Sequence, residues 1–283
     1  MAGAFYPSDP ADLRAALNRS FAEAIEPGPG APAPAALVVP HAGYVYSGPV
    51  AASAYARVGA LRGTVRRVVL LGPSHRVPVR GVALGSADVW ETPLGLVPLD
   101  PEAPAQLAHL RCVAVDDRAH EREHSLEVQV PFLQRTLGEF TLVPLAVGAA
   151  TTDEVARVLD VLWPRADEPT GETLVVVSTD LSHYLTDREA REVDARTAAA
   201  IAARRPEDVA DDAACGARPL RGLLRTAVER DLRVERLDLR NSSDTAGDPT
   251  RVVGYGAFAL ARLPEMTHLG RVTWDVSDTS EPA

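Results

Sequence analysis

The chain has 283 residues, of which 46% are hydrophobic and 24% charged, which excludes a disordered chain and leaves ample apolar surface for a core. Acidic residues number 39 against 29 basic ones, and the net charge of -10 is a poor electrostatic match for nucleic acid or an anionic membrane. All 29 basic residues are arginine, which excludes a Schiff-base or general-base lysine and a Walker-type phosphate loop.

No apolar run reaches the roughly 18 residues of a membrane span. Met1-Ala2-Gly3-Ala4-Phe5-Tyr6-Pro7 lacks the basic and apolar regions of a signal peptide. Only Cys112 and Cys215 are present, so a disulfide-stapled secreted scaffold is not expected and the chain reads as cytoplasmic.

In chain order, Gly28–Pro34 is a Pro/Gly/Ala loop, and Ala36–Val39 is the first apolar run. A helical pattern over Pro49–Val58 follows, with Ala51, Ala52, Tyr55 and Val58 in phase. Val68–Leu71 is the next strand candidate, and Arg80–Leu99 reads as two short extended pieces around Glu91-Thr92-Pro93-Leu94-Gly95, a β excursion near a sheet edge. Leu126, Val130, Leu133 and Leu137 predict a helix starting near, and capped by, Ser125, although Pro131 argues against a long unbroken one. Thr141–Val147 is a strand candidate, and Asp153–Leu162 a helix with Thr152 or Asp153 as its cap. After a break at Asp167–Gly171 come strand Leu174–Val177, helices Arg188–Ala203 and Pro219–Glu229, a polar stretch Asn241–Pro249 and strand Val252–Leu260. Non-alternating apolar strands between helices predict a largely parallel sheet covered on both faces. One domain is expected over residues 1–264, with a polar tail over 265–283.

Three strand candidates run into histidines. Leu37-Val38-Val39 leads to His41, Val69-Leu70-Leu71 to His75, and Val175-Val176-Val177 to Asp180 and His183. In open α/β sheets ligands bind beyond the carboxyl ends of the strands, so the three point to one shared site. Converging imidazoles serve a metal ion or acid/base work. Asp180, Glu127, Glu123 and Cys215 are the candidates for a further ligand. Cys215 precedes the Pro219 helix, where a thiol pKa falls and suits a metal ligand or nucleophile; the competing reading is a small buried hydrophobe. Cys112 stands in an undistinguished segment and reads as inert.

His120-Glu121-Arg122-Glu123-His124 matches the H-E-x-x-H signature of zinc peptidases, which works only if both histidines share one helix face. Here the helical periodicity begins downstream of His120, so a zinc peptidase is a minor alternative. There is no G-x-S-x-G elbow and no G-x-G-x-x-G after a strand, and Gly254-Tyr255-Gly256 reads as close packing.

Taken together the motifs resemble the Memo family, whose bacterial and archaeal members are also called AmmeMemoRadiSam system protein B. They are Ala2-Gly3-Ala4-Phe5-Tyr6-Pro7, Pro40-His41-Ala42-Gly43-Tyr44-Val45-Tyr46-Ser47-Gly48, Gly72-Pro73-Ser74-His75, Glu91-Thr92-Pro93-Leu94-Gly95, Glu123-His124-Ser125-Leu126-Glu127, Pro131-Phe132-Leu133, Ser178-Thr179-Asp180-Leu181-Ser182-His183-Tyr184, Cys215-Gly216 and Val253-Gly254-Tyr255, in family order along nearly the whole chain. The resemblance implies a single-domain, three-layer α/β/α fold with a central mostly parallel or mixed sheet, similar to class III extradiol dioxygenases of the LigB type. It implies a mononuclear metal on His41, His75 and Cys215. His183 would be the acid/base residue, Asp180 lies beside it, and His124 is a further pocket residue. Iron(II) or copper is the expected metal, with zinc also compatible with this donor set. The implied activity is metal-dependent redox chemistry on a small-molecule or peptide ligand. Partners implied by the family name are a radical SAM protein and an AMMECR1-like protein. The alternative is a non-enzymatic metal-binding or peptide-docking module using the same cleft.

Overall fold

The computed structural model describes residues 1–163, 172–246 and 248–262. The break at Asp167–Gly171 and the tail at 265–283 lie outside the described residues. Strands that are apolar on both faces have nowhere to go but the middle of a sandwich, and β1 (Ala36–Val39), β2 (Arg67–Pro73), β7 (Thr141–Val147) and β8 (Thr173–Ser178) form the parallel centre of one sheet. Its order is β10 (Arg233–Asn241), β11 (Val252–Ala261), β1, β8, β2, β7, β3 (Val82–Leu84) and β6 (Val113–Val115), with β9 (His183–Leu185) also paired to β11. β11 runs antiparallel to β1 and β10, and β3 antiparallel to β7, so the sheet is mixed.

Successive side chains of the central strands enter different cores. Leu37, Val39, Val68, Leu70, Leu174 and Val176 face one apolar cluster, and Ala36, Val38, Val69, Leu71, Val175 and Val177 face the other. The first is covered by α1 (Pro10–Ala22), α2 (Tyr44–Tyr55) and α6 (Val130–Leu137), the second by α7 (Thr152–Leu162), α8 (Asp187–Ala202) and α9 (Ala217–Glu229). The expected three layers result. The short helices α3 (Ala103–Leu107), α4 (Arg118–Glu121) and α5 (His124–Glu127) join them. β4 (Val89–Thr92) and β5 (Gly95–Pro98) pair only with each other, and β3 lies one strand in from the sheet edge.

Three local expectations are corrected. The helix expected from Ser125 is two pieces, α5 and α6, because Pro131 sits in the first turn of α6, where its missing N–H costs nothing. Ser125 is not the cap of α5; Glu123 is, accepting from the Ser125 N–H at 2.9 Å. α7 is capped by Thr151 in a reciprocal capping box with Glu154, ahead of the expected Thr152 or Asp153. In addition, α2 begins at Tyr44 and carries Pro49 inside it, so its first turn starts just past His41.

Candidate metal centre

β1, β8 and β2 are adjacent and parallel, and their carboxyl ends deliver the site. His41 follows β1 after Pro40, Ser178 is the last residue of β8, and His75 follows β2 after Ser74. His124 opens α5 and Cys215 lies just before α9, so the two helical layers meet over the strand ends.

His41, His75 and His124 form a group that could hold a metal ion: one ligand atom from each lies within 4.8 Å of the others. Their ring centroids are 5.3 Å apart for His41–His75, 5.3 Å for His41–His124 and 4.8 Å for His75–His124. Cys215 joins at the His41 corner, with Sγ 3.2 Å from Nε2, and also accepts from the Asp180 N–H at 3.3 Å. Close packing sets that thiol in place, since Gly216 donates its N–H to Thr179 Oγ1 at 2.8 Å and any Cβ on Gly216 would collide with Thr179.

Each imidazole is steered from behind. Glu123 accepts from the His75 ring Nδ1 at 2.8 Å and from its backbone N–H at 2.6 Å. A carboxylate that only accepts fixes the His75 proton on Nδ1 and leaves Nε2 as the ligand atom, the carboxylate–histidine arrangement common behind metals. His41 Nδ1 lies 2.9 Å from Ser178 Oγ, and the His41 backbone N–H donates to Asp180 Oδ1 at 2.7 Å. His124 stacks on Phe5 with centroids 4.3 Å apart, and its buried Nδ1 has no hydrogen-bond partner.

The electrostatics favour neutral imidazoles at His41 and His124 and a neutral thiol at Cys215. Burial, reinforced by His75, His124 and His183, lowers the His41 pKa well below the usual range. Burial and then His75 bring His124 down to about 4, against the pull of Glu123. Burial alone would raise Glu123, but hydrogen bonds from His75 and Ser125 outweigh it and hold the carboxyl at about 2. Burial lifts Asp180 to about 7, opposed by the His41 and Ala42 N–H groups. Cys215 is pushed up to about 12, by burial first and Asp180 second. This corrects the expectation that the α9 N-terminus lowers its pKa: desolvation of a thiolate outweighs a helix end. The donors suit a borderline cation, because neutral imidazoles present lone pairs and an ion of this type deprotonates a thiol on binding.

The remaining predicted residues divide. His183 is half-buried beside the group and donates Nδ1–H to the Leu181 carbonyl at 2.8 Å, which leaves Nε2 as a proton acceptor. Glu127 accepts from the Tyr6 hydroxyl at 2.6 Å instead of joining the imidazoles. His120 lies on α4, turns Nε2 to the Ala83 carbonyl at 3.2 Å, and is separated from His124 by the break between α4 and α5. The H-E-x-x-H match therefore spans two helices and lacks the shared face a zinc peptidase needs. Cys112 packs half-buried against the second core. Phe5, Ser125, Gln129 and Ser178 contribute to the site beyond the residues expected to carry its chemistry, and of these Phe5, Ser125 and Ser178 lie within the family motifs.

A family model for Memo-like proteins matches residues 1–259. A MEMO1 family protein of Methanopyrus kandleri is 35% identical over 279 residues, covering 93% of this chain and 98% of that one. Another, from Ignicoccus hospitalis, is 37% identical over 276 residues, covering 91% and 95%. A crystal structure of an uncharacterized protein from Escherichia coli K12 aligns at a TM-score of 0.49 with 13% identity, over 78% of this chain and 98% of that one. By the reach of the family model and the identity to these relatives, the chain belongs to the Memo family.

Proposed function

We propose that the protein is a metal-dependent redox enzyme with a mononuclear ion held by His41, His75 and Cys215. The observation that carries this reading is the convergence of three imidazoles at the ends of β1, β8 and β2, with the Cys215 thiol set against His41. Iron(II) or copper is the preferred ion, with zinc third, because the donors are imidazole and thiolate rather than oxygen. Iron or copper held there would supply electron exchange. His183 takes or returns a proton through Nε2, its Nδ1–H being committed to Leu181. Asp180 clamps the backbone that carries His41, and His124, in the same group as His41 and His75, orients substrate.

The substrate is a small molecule or peptide entering at the strand ends, and a radical SAM protein and an AMMECR1-like protein are the proposed partners in a cytoplasmic modification pathway. No helix among the described residues is long and apolar enough to cross a membrane. The test is anaerobic purification, metal quantification, and exposure to oxygen with a panel of catechols. Bound iron or copper and a ring-opened product support the reading. A metal-free protein that still binds a partner after His41→Ala sinks it in favour of a docking module.

A further inference from the structure

Behind His41 lies a polar network in the core, and two acceptors that cannot donate settle every proton in it. The Pro40 carbonyl is 2.9 Å from Gln129 Nε2, which orients the amide. Its second hydrogen goes to Ser178 Oγ at 2.8 Å, while Oε1 accepts the Tyr55 hydroxyl at 2.9 Å. The Ser125 carbonyl is 2.5 Å from Ser178 Oγ and so takes the single serine proton. Ser178 Oγ keeps two lone pairs, one filled by Gln129. The other faces His41 Nδ1 at 2.9 Å and can only receive a hydrogen. His41 is 2% exposed, Ser178 0%, Gln129 1% and Tyr55 0%, so bulk water is no substitute partner.

We infer that Ser178 and Gln129 are positioning residues that hold His41 with its proton on Nδ1 and its Nε2 lone pair turned toward Cys215. The opposite face agrees: Cys215 Sγ, already accepting from Asp180, sits 3.2 Å from Nε2, where a thiol hydrogen finds an acceptor. The consequence for metal binding rests on the metal-centre reading, but the proton assignment does not. An imidazole freed from Ser178 can carry its hydrogen on Nε2, and then the nitrogen aimed at the site has no lone pair.

The test is a long-range proton–nitrogen NMR correlation of 15N-histidine protein stripped of metal, joined to zinc titration against a chromophoric chelator. His41 should show the Nδ1–H form in the unsubstituted protein. Ser178→Ala should move it toward Nε2–H and weaken zinc binding about tenfold or more, and Ser178→Thr, which restores the hydroxyl, should recover both. An Nε2–H pattern in the unsubstituted protein overturns the inference, and this needs no variant to fold. A folded Ser178→Ala protein with unchanged tautomer and zinc affinity overturns it as well. Should the protein bind no metal while His41 shows Nδ1–H, the metal-centre reading fails and the proton assignment stands.

Discussion

Gly254 and Asp194 share one space: a Cβ on Gly254 would fall inside the Asp194 carboxylate. The pair holds the loop that carries His183. Asp194 accepts the Ser182 N–H at 3.0 Å, while Gly254 accepts from the Leu181 N–H and donates to the Ser182 carbonyl, each at 2.8 Å. Gly254→Ala should therefore cost about 2 kcal/mol by overpacking and shift the His183 ring resonances more than those of His75. Urea denaturation and histidine NMR check both, and an unperturbed His183 would show that the loop is held by other contacts.

The ligand set separates by substitution. Cys215→Ser should weaken iron or copper binding about tenfold or more, and Cys112→Ser should leave it unchanged. His124→Phe keeps a ring to stack on Phe5 and should change affinity by about threefold at most if His124 orients substrate rather than ligating. Equal losses at Cys215 and Cys112 refute the thiolate assignment, and a loss at His124 as large as at His41 replaces the thiolate with a third imidazole.

Glu123 links the centre to pH. Its carboxyl is held at about 2, below the ordinary glutamate value of 4.5, because hydrogen bonds from His75 and Ser125 outweigh burial. A depressed carboxylate contributes stability that is complete above about 4.5 and is lost as pH falls toward 2. Glu123→Gln should flatten the acid limb of the stability curve in that window, cost about 2 kcal/mol at neutral pH, and weaken metal binding about tenfold. Chemical denaturation from pH 2 to 7 reads the first two.

Metal should stabilise the fold by mass action. At a free concentration of about one hundred times Kd, the gain is roughly 2.7 kcal/mol. Calorimetry with iron(II) under anaerobic conditions should show a raised Tm in the unsubstituted protein and no shift in His41→Ala. A rise of equal size in His41→Ala would place the ion elsewhere.

How much of this was legible in the sequence depends on burial. Ala36–Val39 and Thr141–Val147 match β1 and β7 residue for residue, because strands covered on both faces are written as unbroken apolar runs. The start of α2 was displaced, since Pro49 looks like a helix opener and its place inside the helix depends on packing that pattern does not record. His41 and His75 were visible as histidines beyond strand ends. Their supports were not: Gln129 falls between two short helices and resembles any helical glutamine, and Ser178 closes an apolar strand like any polar end. The thiol pKa runs against the sequence pattern because a helix terminus is visible in a sequence and the depth of a side chain is not.

β8 stands between the two strands that deliver His41 and His75, and strands are spaced by about 4.8 Å, so those loops spring from points nearly 10 Å apart. They lean inward to bring the rings to 5.3 Å, forming an arch whose underside is Ser178. The span of that arch is the width of one strand. A slip of β8 by one residue would turn Ser178 to the opposite face and remove the footing beneath His41 while leaving every imidazole in the chain. Amide exchange along β8 is thus a gauge of the centre's integrity, readable before any metal is added.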